Sequence, residues 1–247
     1  MLLALLAGLS FLIVGAVVGV RMLLLARRTR GIPEWILGSG LCALVFVTIP
    51  CITIGFGLRL GPVWLEKALF LAGLGPVIGF AVALFAFTAI VFRPASIVAW
   101  SLVVAAGVVA TTGMAGTVAT RFAEWDADRV VSVHWTVMMV GAVVAGFLWS
   151  GLESLRYHWK LRRRLQLGLA DPVVCNRFLL WGVGGLATVA GVAVVIVSLL
   201  LGWRVVSHPV PVLGLACALF STSITWWLAF VPPAPYLARL RANQPLL

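Results

Sequence analysis

Seven long apolar runs, separated by short charged segments, constrain the fold of this chain more than any other feature of its sequence. About 20 apolar residues span the ~30 Å hydrocarbon core of a bilayer as an α-helix, which pairs its own backbone polar groups. A transmembrane β-barrel would instead show short segments of alternating polarity, which are not seen here. Hydrophobic residues make up 63% of the 247 residues and charged residues only 10%, unlike a soluble domain.

The sequence therefore predicts an all-α, polytopic membrane protein, built as a single bundle of seven transmembrane helices in one membrane domain over 1–247. The first run lacks a basic leader and stops at a basic cluster, so it is interpreted as a retained helix and not a signal peptide. The predicted spans are 2–25, 35–57, 65–91, 95–119, 130–155, 178–201 and 209–231.

Lysine and arginine are distributed unevenly between the two ends of these spans. With the N-terminus outside, 13 of them fall on the inner side and 5 on the outer side. Inner loops carry the excess of positive charge, so the count predicts an outside N-terminus and a cytoplasmic C-terminus in a bacterial inner membrane. The formal net charge of +11 is then explained by orientation toward the lipid bilayer and its anionic inner headgroups, and no nucleic-acid partner is predicted.

The most basic segment, RYHWKLRRRLQLG (156–168), is predicted to be the inner loop between spans five and six. After it, Asp171 offers an N-cap acceptor to a starting helix and Pro172 suits the first helical position. Two interpretations stay open: an ordinary helix start at the interface, with Arg177 reaching headgroups or Asp171, or a docking face for a cytoplasmic or membrane partner protein. The candidate partner-binding or lipid-binding residues are Arg162, Arg163, Arg164, Asp171 and Arg177.

Small and hydroxyl residues recur inside the spans. They predict close helix packing, or alternatively a mid-membrane pocket for a small, mostly neutral ligand between spans three, four and seven. Pro76 between glycines is expected to break the third helix and to free carbonyl groups toward such a pocket. The candidate ligand-binding residues are Pro76, Thr111, Thr112, Ser221, Thr222 and Ser223.

The pattern of charged and potentially metal-binding side chains does not indicate a catalytic or metal-binding site. Glu153 is the deepest acid at the inner ends, with Arg156 expected to pair with it. The outer histidines, His134 and His208, lie near an acidic trio but show no ligand spacing, so no metal or haem site is predicted. No nucleophile–base pair, carboxylate pair or phosphate loop appears, so neither an enzyme nor a cofactor is predicted. The acidic trio is Glu124, Asp126 and Asp128.

A weak internal repeat is visible in the proline positions. Pro33 and Pro94 lie 61 residues apart, as do Pro172 and Pro233. Spans 1–3 and 5–7 are therefore candidates for two copies of one unit, with span four as the linker.

The segments GLADPVVCNRFLLWG (168–182) and RTRGIPEWILG (28–38) resemble those of uncharacterised bacterial seven-span proteins. The layout also resembles the broad superfamily of microbial opsins, G-protein-coupled receptors and sugar transporters. A retinal pigment is excluded, because the only lysines are Lys67 and Lys160 and neither lies in span seven. The resulting expectation is a sensor or receptor-like protein that binds a small ligand in its bundle and signals through the basic inner loop. The alternatives are a small-solute transporter and a structural subunit of a larger membrane complex.

Overall fold

The computed structural model describes residues 2–58, 62–123, 125, 133–201, 203 and 208–242. All regular structure in these residues is helical, and seven helices are long and apolar enough to cross a membrane. The prediction of an all-α membrane protein with seven spans is confirmed. The helices are α1 (Leu2–Thr29), α2 (Ile32–Ala43), α3 (Ile49–Ile52), α4 (Val63–Phe92), α5 (Ile97–Ala123), α6 (Val133–Leu165), α7 (Pro172–Leu200), α8 (Pro209–Phe230) and α9 (Ala234–Ala242).

The segment predicted as a loop at 156–168 is largely helical, so that prediction is wrong. Helix α6 continues to Leu165, because leucine, arginine, lysine and glutamine all favour the helix. The turn that terminates the helix contains Gly168, whose φ of 70° is left-handed backbone that suits glycine. The Leu169 amide donates to the Arg164 carbonyl (2.9 Å) and the Gly168 amide to the Leu165 carbonyl (3.0 Å). This paired pattern is the Schellman turn, which satisfies the last carbonyls of a helix.

The second span, not the third, is the irregular one. Two π-helical segments, π1 (Leu44–Thr48) and π2 (Thr53–Leu58), flank the short helix α3. Helix α4 by contrast runs unbroken through Pro76, so the expected break in the third helix is wrong. A proline removes only its own backbone donor, and a long membrane helix tolerates that loss where neighbouring groups compensate.

Contacts divide the chain into two compact units. The first consists of Met1–Val14 and Phe147–Leu247, and the second of Gly15–Gly146. In the first, Trp226 is only 1% exposed and stacks on Trp181 with a centroid distance of 5.5 Å.

In the second unit, helices α5 and α6 approach closely at Gly113. A Cβ added there would lie 2.6 Å from the backbone nitrogen of Met139. A side chain larger than hydrogen would therefore force the two helices apart. The prediction that small residues serve close helix packing is confirmed at this position.

Candidate functional site

The end of α6 and the start of α7 form an antiparallel helical hairpin, which we define as residues 156–177 and name the basic hairpin. Across it, the rings of Tyr157 and Phe178 meet edge-on at 4.7 Å. Nearer the turn, His158 Nδ1 lies 2.9 Å from the Cys175 carbonyl oxygen and 3.4 Å from its Sγ. These contacts hold the two helical ends side by side beyond the apolar part of the spans.

The start of α7 is capped as the sequence predicts. The Val173 amide donates to Asp171 Oδ1 at 2.7 Å, and Pro172 occupies the first helical position, where no backbone donor is required. Together with the turn at Gly168, this cap leaves both helix ends of the basic hairpin satisfied. The hairpin is therefore an ordered helical element and not a flexible connection.

Positive charge dominates the exposed surface of the basic hairpin. Asp171 is the only acid among residues 156–177. The Arg162 guanidinium lies 5.5 Å from the ring centroid of Trp159, which is itself 60% exposed. Within the described ranges, no ion pair joins Arg177 to Asp171, and both side chains are exposed. The exposed cations are Arg156, Lys160, Arg162, Arg163, Arg164 and Arg177.

Two further contacts attach the basic hairpin to its surroundings in the first unit. Asn176 Nδ2 donates to the Tyr236 hydroxyl at 2.8 Å, which fixes α9 against the start of α7. Arg156 donates to Glu153 Oε1 at 3.3 Å, so the predicted ion pair is confirmed. Helix α9 adds two exposed arginines, Arg239 and Arg241.

Of the predicted ligand-binding hydroxyls on α8, two are buried and one is exposed. Thr222 donates to the Ala218 carbonyl at 2.9 Å, and its Oγ1 lies 3.1 Å from that of Thr188 on α7. Ser223 donates to the Leu219 carbonyl at 2.7 Å, while Ser221 is exposed. Both buried hydroxyls thus satisfy backbone carbonyls of α8, and that of Thr222 also joins α8 to its neighbour α7.

The candidate ligand-binding residues of the second unit are not gathered into an enclosed cavity. Thr111 and Thr112 are exposed and line a shallow, open depression along one face of α5. Pro76 is half-buried in α4 and does not line that depression. The other residues lining the depression are Val104, Gly107 and Val108.

A charged and aromatic cluster at the ends of α4 and α5 was not anticipated from the sequence. Glu66 is only 6% exposed, and its Oε2 accepts a hydrogen bond of 3.1 Å from Trp125 Nε1. The Arg121 guanidinium lies 5.2 Å from the Trp125 ring, and Lys67 Nζ lies 5.3 Å from the Phe122 ring. A tryptophan just beyond span four and a glutamate just inside span three were the available signal, although both fit an ordinary interfacial position.

The predicted outer histidines have aromatic neighbours. His134 is exposed beside Trp135, with a centroid distance of 5.1 Å. His208 stacks on Trp203 at 4.2 Å. The acidic trio predicted near them lies outside the described residues.

Among the residues that the structure describes, no three His, Cys, Asp or Glu side chains form a group that could hold a metal ion. The buried serines, threonines and tryptophans of the first unit mainly bond to backbone carbonyls and to one another. These buried polar contacts serve helix packing, and the charged residues of the basic hairpin lie exposed on the surface. No protein-family model, curated protein or solved structure matches this chain.

Proposed function

We propose that this chain is a receptor-like protein of a bacterial inner membrane, which senses a small ligand among its spans and hands its state to a separate protein. The basic hairpin is the element that contacts that protein. The observation that carries this proposal is that the hairpin continues two spans as ordered helix, capped at Asp171 and closed at Gly168.

The length of α6 supports a surface beyond the membrane. Its 33 residues extend ~50 Å at ~1.5 Å per residue. A bilayer with its headgroups is ~40–45 Å thick. A helix of this length, even when tilted by ~20°, reaches past the headgroups at one end or both. Its apolar part lies toward Val133, so the end that emerges carries the arginines before Leu165.

Helical continuity gives the hairpin a way to report on the spans. A shift of α6 against α7 within the membrane moves the two arms of the basic hairpin by a similar amount, because packed helices move as stiff bodies. The Thr188–Thr222 contact extends this linkage from α7 to α8. A ligand that favours one packing of these helices would thereby alter the arginine-bearing surface.

The proposed orientation places the basic hairpin and α9 in the cytoplasm, since both carry the positive charge that inner segments retain. A C-terminal fusion to a reporter active only in the cytoplasm should be active. Activity only from a periplasmic reporter would contradict the orientation.

The test of the partner is site-specific photo-cross-linking in cells of the native host. A cross-linker at Leu167, which is 66% exposed near the hairpin turn, should give one defined protein adduct. The same cross-linker at Ile97, which is 85% exposed at the start of α5, is the control position and should not give that adduct.

Charge variants then assign the contact to the hairpin. Replacing Arg162, Arg163 and Arg164 together by glutamine should abolish the adduct, and replacing them by lysine should retain it. The matched control replaces three other exposed arginines, Arg27, Arg28 and Arg30, by glutamine and should leave the adduct intact. Solute uptake that follows expression, with no adduct at Leu167, would favour a transporter instead. Comigration with a large membrane complex in all variants would favour a structural subunit.

A further inference from the structure

The irregular second span contains a buried hydroxyl group without a hydrogen-bond partner in the part of the chain that the structure describes. Thr48, the last residue of π1, is only 6% exposed. Among the described residues its Oγ1 has no hydrogen-bond partner. Buried polar groups are nearly always paired, and leaving one unpaired costs about 1–3 kcal/mol.

The other buried threonines show what is unusual about Thr48. The structure describes three more: Thr88, Thr117 and Thr222. Each donates to the carbonyl four residues earlier, at 2.7, 2.8 and 2.9 Å respectively. These three threonines pair with their own backbone, whereas the buried hydroxyls of Thr136 and Ser154, in the regular helix α6, also have no partner among the described residues.

The π-helical backbone distinguishes the surroundings of Thr48 from those of the threonines in regular helix. The carbonyl four residues before Thr48 belongs to Leu44, and it accepts the amide of Ile49 five residues ahead, as a π-helix requires. Pro50 has no backbone N–H, so this stretch also lacks one donor that a regular helix would supply. The segment thus combines an unused hydroxyl with a backbone that lacks one donor.

The packing partner of this segment is a glycine on α4. A Cβ added at Gly73 would lie 3.2 Å from the Thr48 carbonyl oxygen and 3.2 Å from Cys51 Cβ. The closest approach would be 2.8 Å, to Ile52 Cγ1. The backbone of α4 therefore comes directly against the irregular turn, which puts Cys51 and Gly73 beside the same short segment as Thr48.

The chemistry of the groups selects the kind of ligand. The unpaired Thr48 hydroxyl can both donate and accept a hydrogen bond, and an O–H group can do the same from one atom. A cation would require charge compensation, but the buried carboxylate of Glu66 in this unit is engaged with Trp125. Seven residues of α4, ~10 Å of helix, separate Glu66 from Gly73.

We propose that the π-helical turn around Thr48 is a binding site for a neutral O–H group, provided by a bound water molecule or by the hydroxyl of a small alcohol. π-Helical turns inside longer helices frequently mark functional sites. The proposal names the class of ligand that the proposed receptor binds, and this assignment of a ligand rests on the proposed function. Its test uses the purified full-length protein and no partner, so the two proposals fail separately.

The first arm of the test detects bound water. Pulsed X-ray radiolysis of the protein in detergent micelles, with a scavenger for bulk radicals, generates hydroxyl radicals from internal water. Cys51 should be oxidised in the unmodified protein and in Thr48→Ser, and spared in Thr48→Val, which has the same shape without the hydroxyl. The control is Thr88→Val, a buried threonine whose hydroxyl already bonds to the Leu84 carbonyl; it should leave Cys51 labelling unchanged.

The second arm detects an alcohol. Titration with 1-hexanol should raise the Tm of the unmodified protein relative to Thr48→Val, with Thr88→Val behaving like the unmodified protein. Labelling of Cys51 without a hexanol effect assigns the site to water, and a hexanol effect that depends on Thr48 assigns it to an alcohol. The proposal is overturned if Thr48→Val matches the unmodified protein in both Cys51 labelling and hexanol response. The proposal is also overturned if Thr88→Val loses the Cys51 labelling or the hexanol effect to the same extent as Thr48→Val.

Discussion

The basic hairpin and the second span both interrupt regular α-helix, yet they treat their polar groups in opposite ways. In the hairpin, Asp171 caps the new helix and Gly168 closes the old one. In the second span the chain stays helical but changes register, and the hydroxyl of Thr48 has no partner among the described residues. The basic hairpin is suited to presenting its arginines on a rigid surface, and the second span to accepting the O–H group proposed above.

The position of proline explains much of this contrast. Pro172 is the first residue of α7, where its missing N–H has no helical partner to lose. Pro50 lies within a span, where a missing donor must be accommodated by the surrounding backbone. The same residue type therefore accompanies a clean helix start in one region and a register change in the other.

The largest effect is expected at the contact between the second span and α4. Gly73→Ala should lower the free energy of unfolding by about 1–3 kcal/mol, because the added methyl group overpacks against Ile52 and the Thr48 carbonyl. Unfolding by SDS titration measures this. Gly75→Ala is the control, since nothing lies within 4 Å of its Cβ position. Equal behaviour of the two variants would mean that the irregular span is loosely packed, which removes the contrast with the hairpin.

The next effect concerns the helix cap of the hairpin. Asp171→Ala should cost about 1 kcal/mol, because the Val173 amide loses its acceptor. Faster hydrogen exchange at that amide, together with a lower Tm, checks the prediction. Asp171→Asn keeps a side-chain oxygen and should behave almost as the unmodified protein. If Asp171→Ala leaves exchange unchanged, the hairpin owes its order to something other than the cap.

The sequence predicted the seven spans and the cap because both depend on local patterns. Apolar runs of membrane length report the helices directly, and an Asp-Pro pair before such a run reports a helix start. The basic segment was misjudged as a loop because charge was weighed above helix propensity. Only Gly168 in that stretch demands a turn, and the helix continues almost to it.

The register change in the second span was not predictable in the same way. Proline marks a lost donor, but Pro76 leaves α4 continuous while the span that contains Pro50 becomes π-helical. The outcome depends on how each backbone packs, for instance on the contact at Gly73, and a single sequence does not report that contact. The Glu66–Trp125 hydrogen bond was missed for a similar reason, since its residues lie 59 positions apart.

A smaller effect is expected where α9 meets the hairpin. Tyr236→Phe removes the acceptor of Asn176 and should cost about 0.5–1.5 kcal/mol, because the contact is partly buried. The Tm values of the unmodified protein, Tyr236→Phe, Asn176→Ala and the double variant form a double-mutant cycle. This cycle isolates the interaction between the two side chains. Strict additivity of the two single changes would show that α9 does not brace the hairpin, and the hairpin would then rest on α6 and α7 alone.

The smallest effect is expected at the ion pair that begins the hairpin. The side chain of Arg156 is 67% exposed and that of Glu153 only 10%, so water screens the pair on one side. Arg156→Ala should cost about 0.2–0.5 kcal/mol at low salt, and the difference should vanish near 1 M salt, where the screening length is ~3 Å.

Arg163→Ala is the matched control, an exposed arginine of the same helix for which the described residues show no ion pair. It should change stability at neither salt concentration. A loss for Arg156→Ala that persists at high salt would mean that its aliphatic stem packs against the hairpin. The order of the hairpin would then begin at Arg156 itself, two residues nearer the membrane than the His158–Cys175 contact.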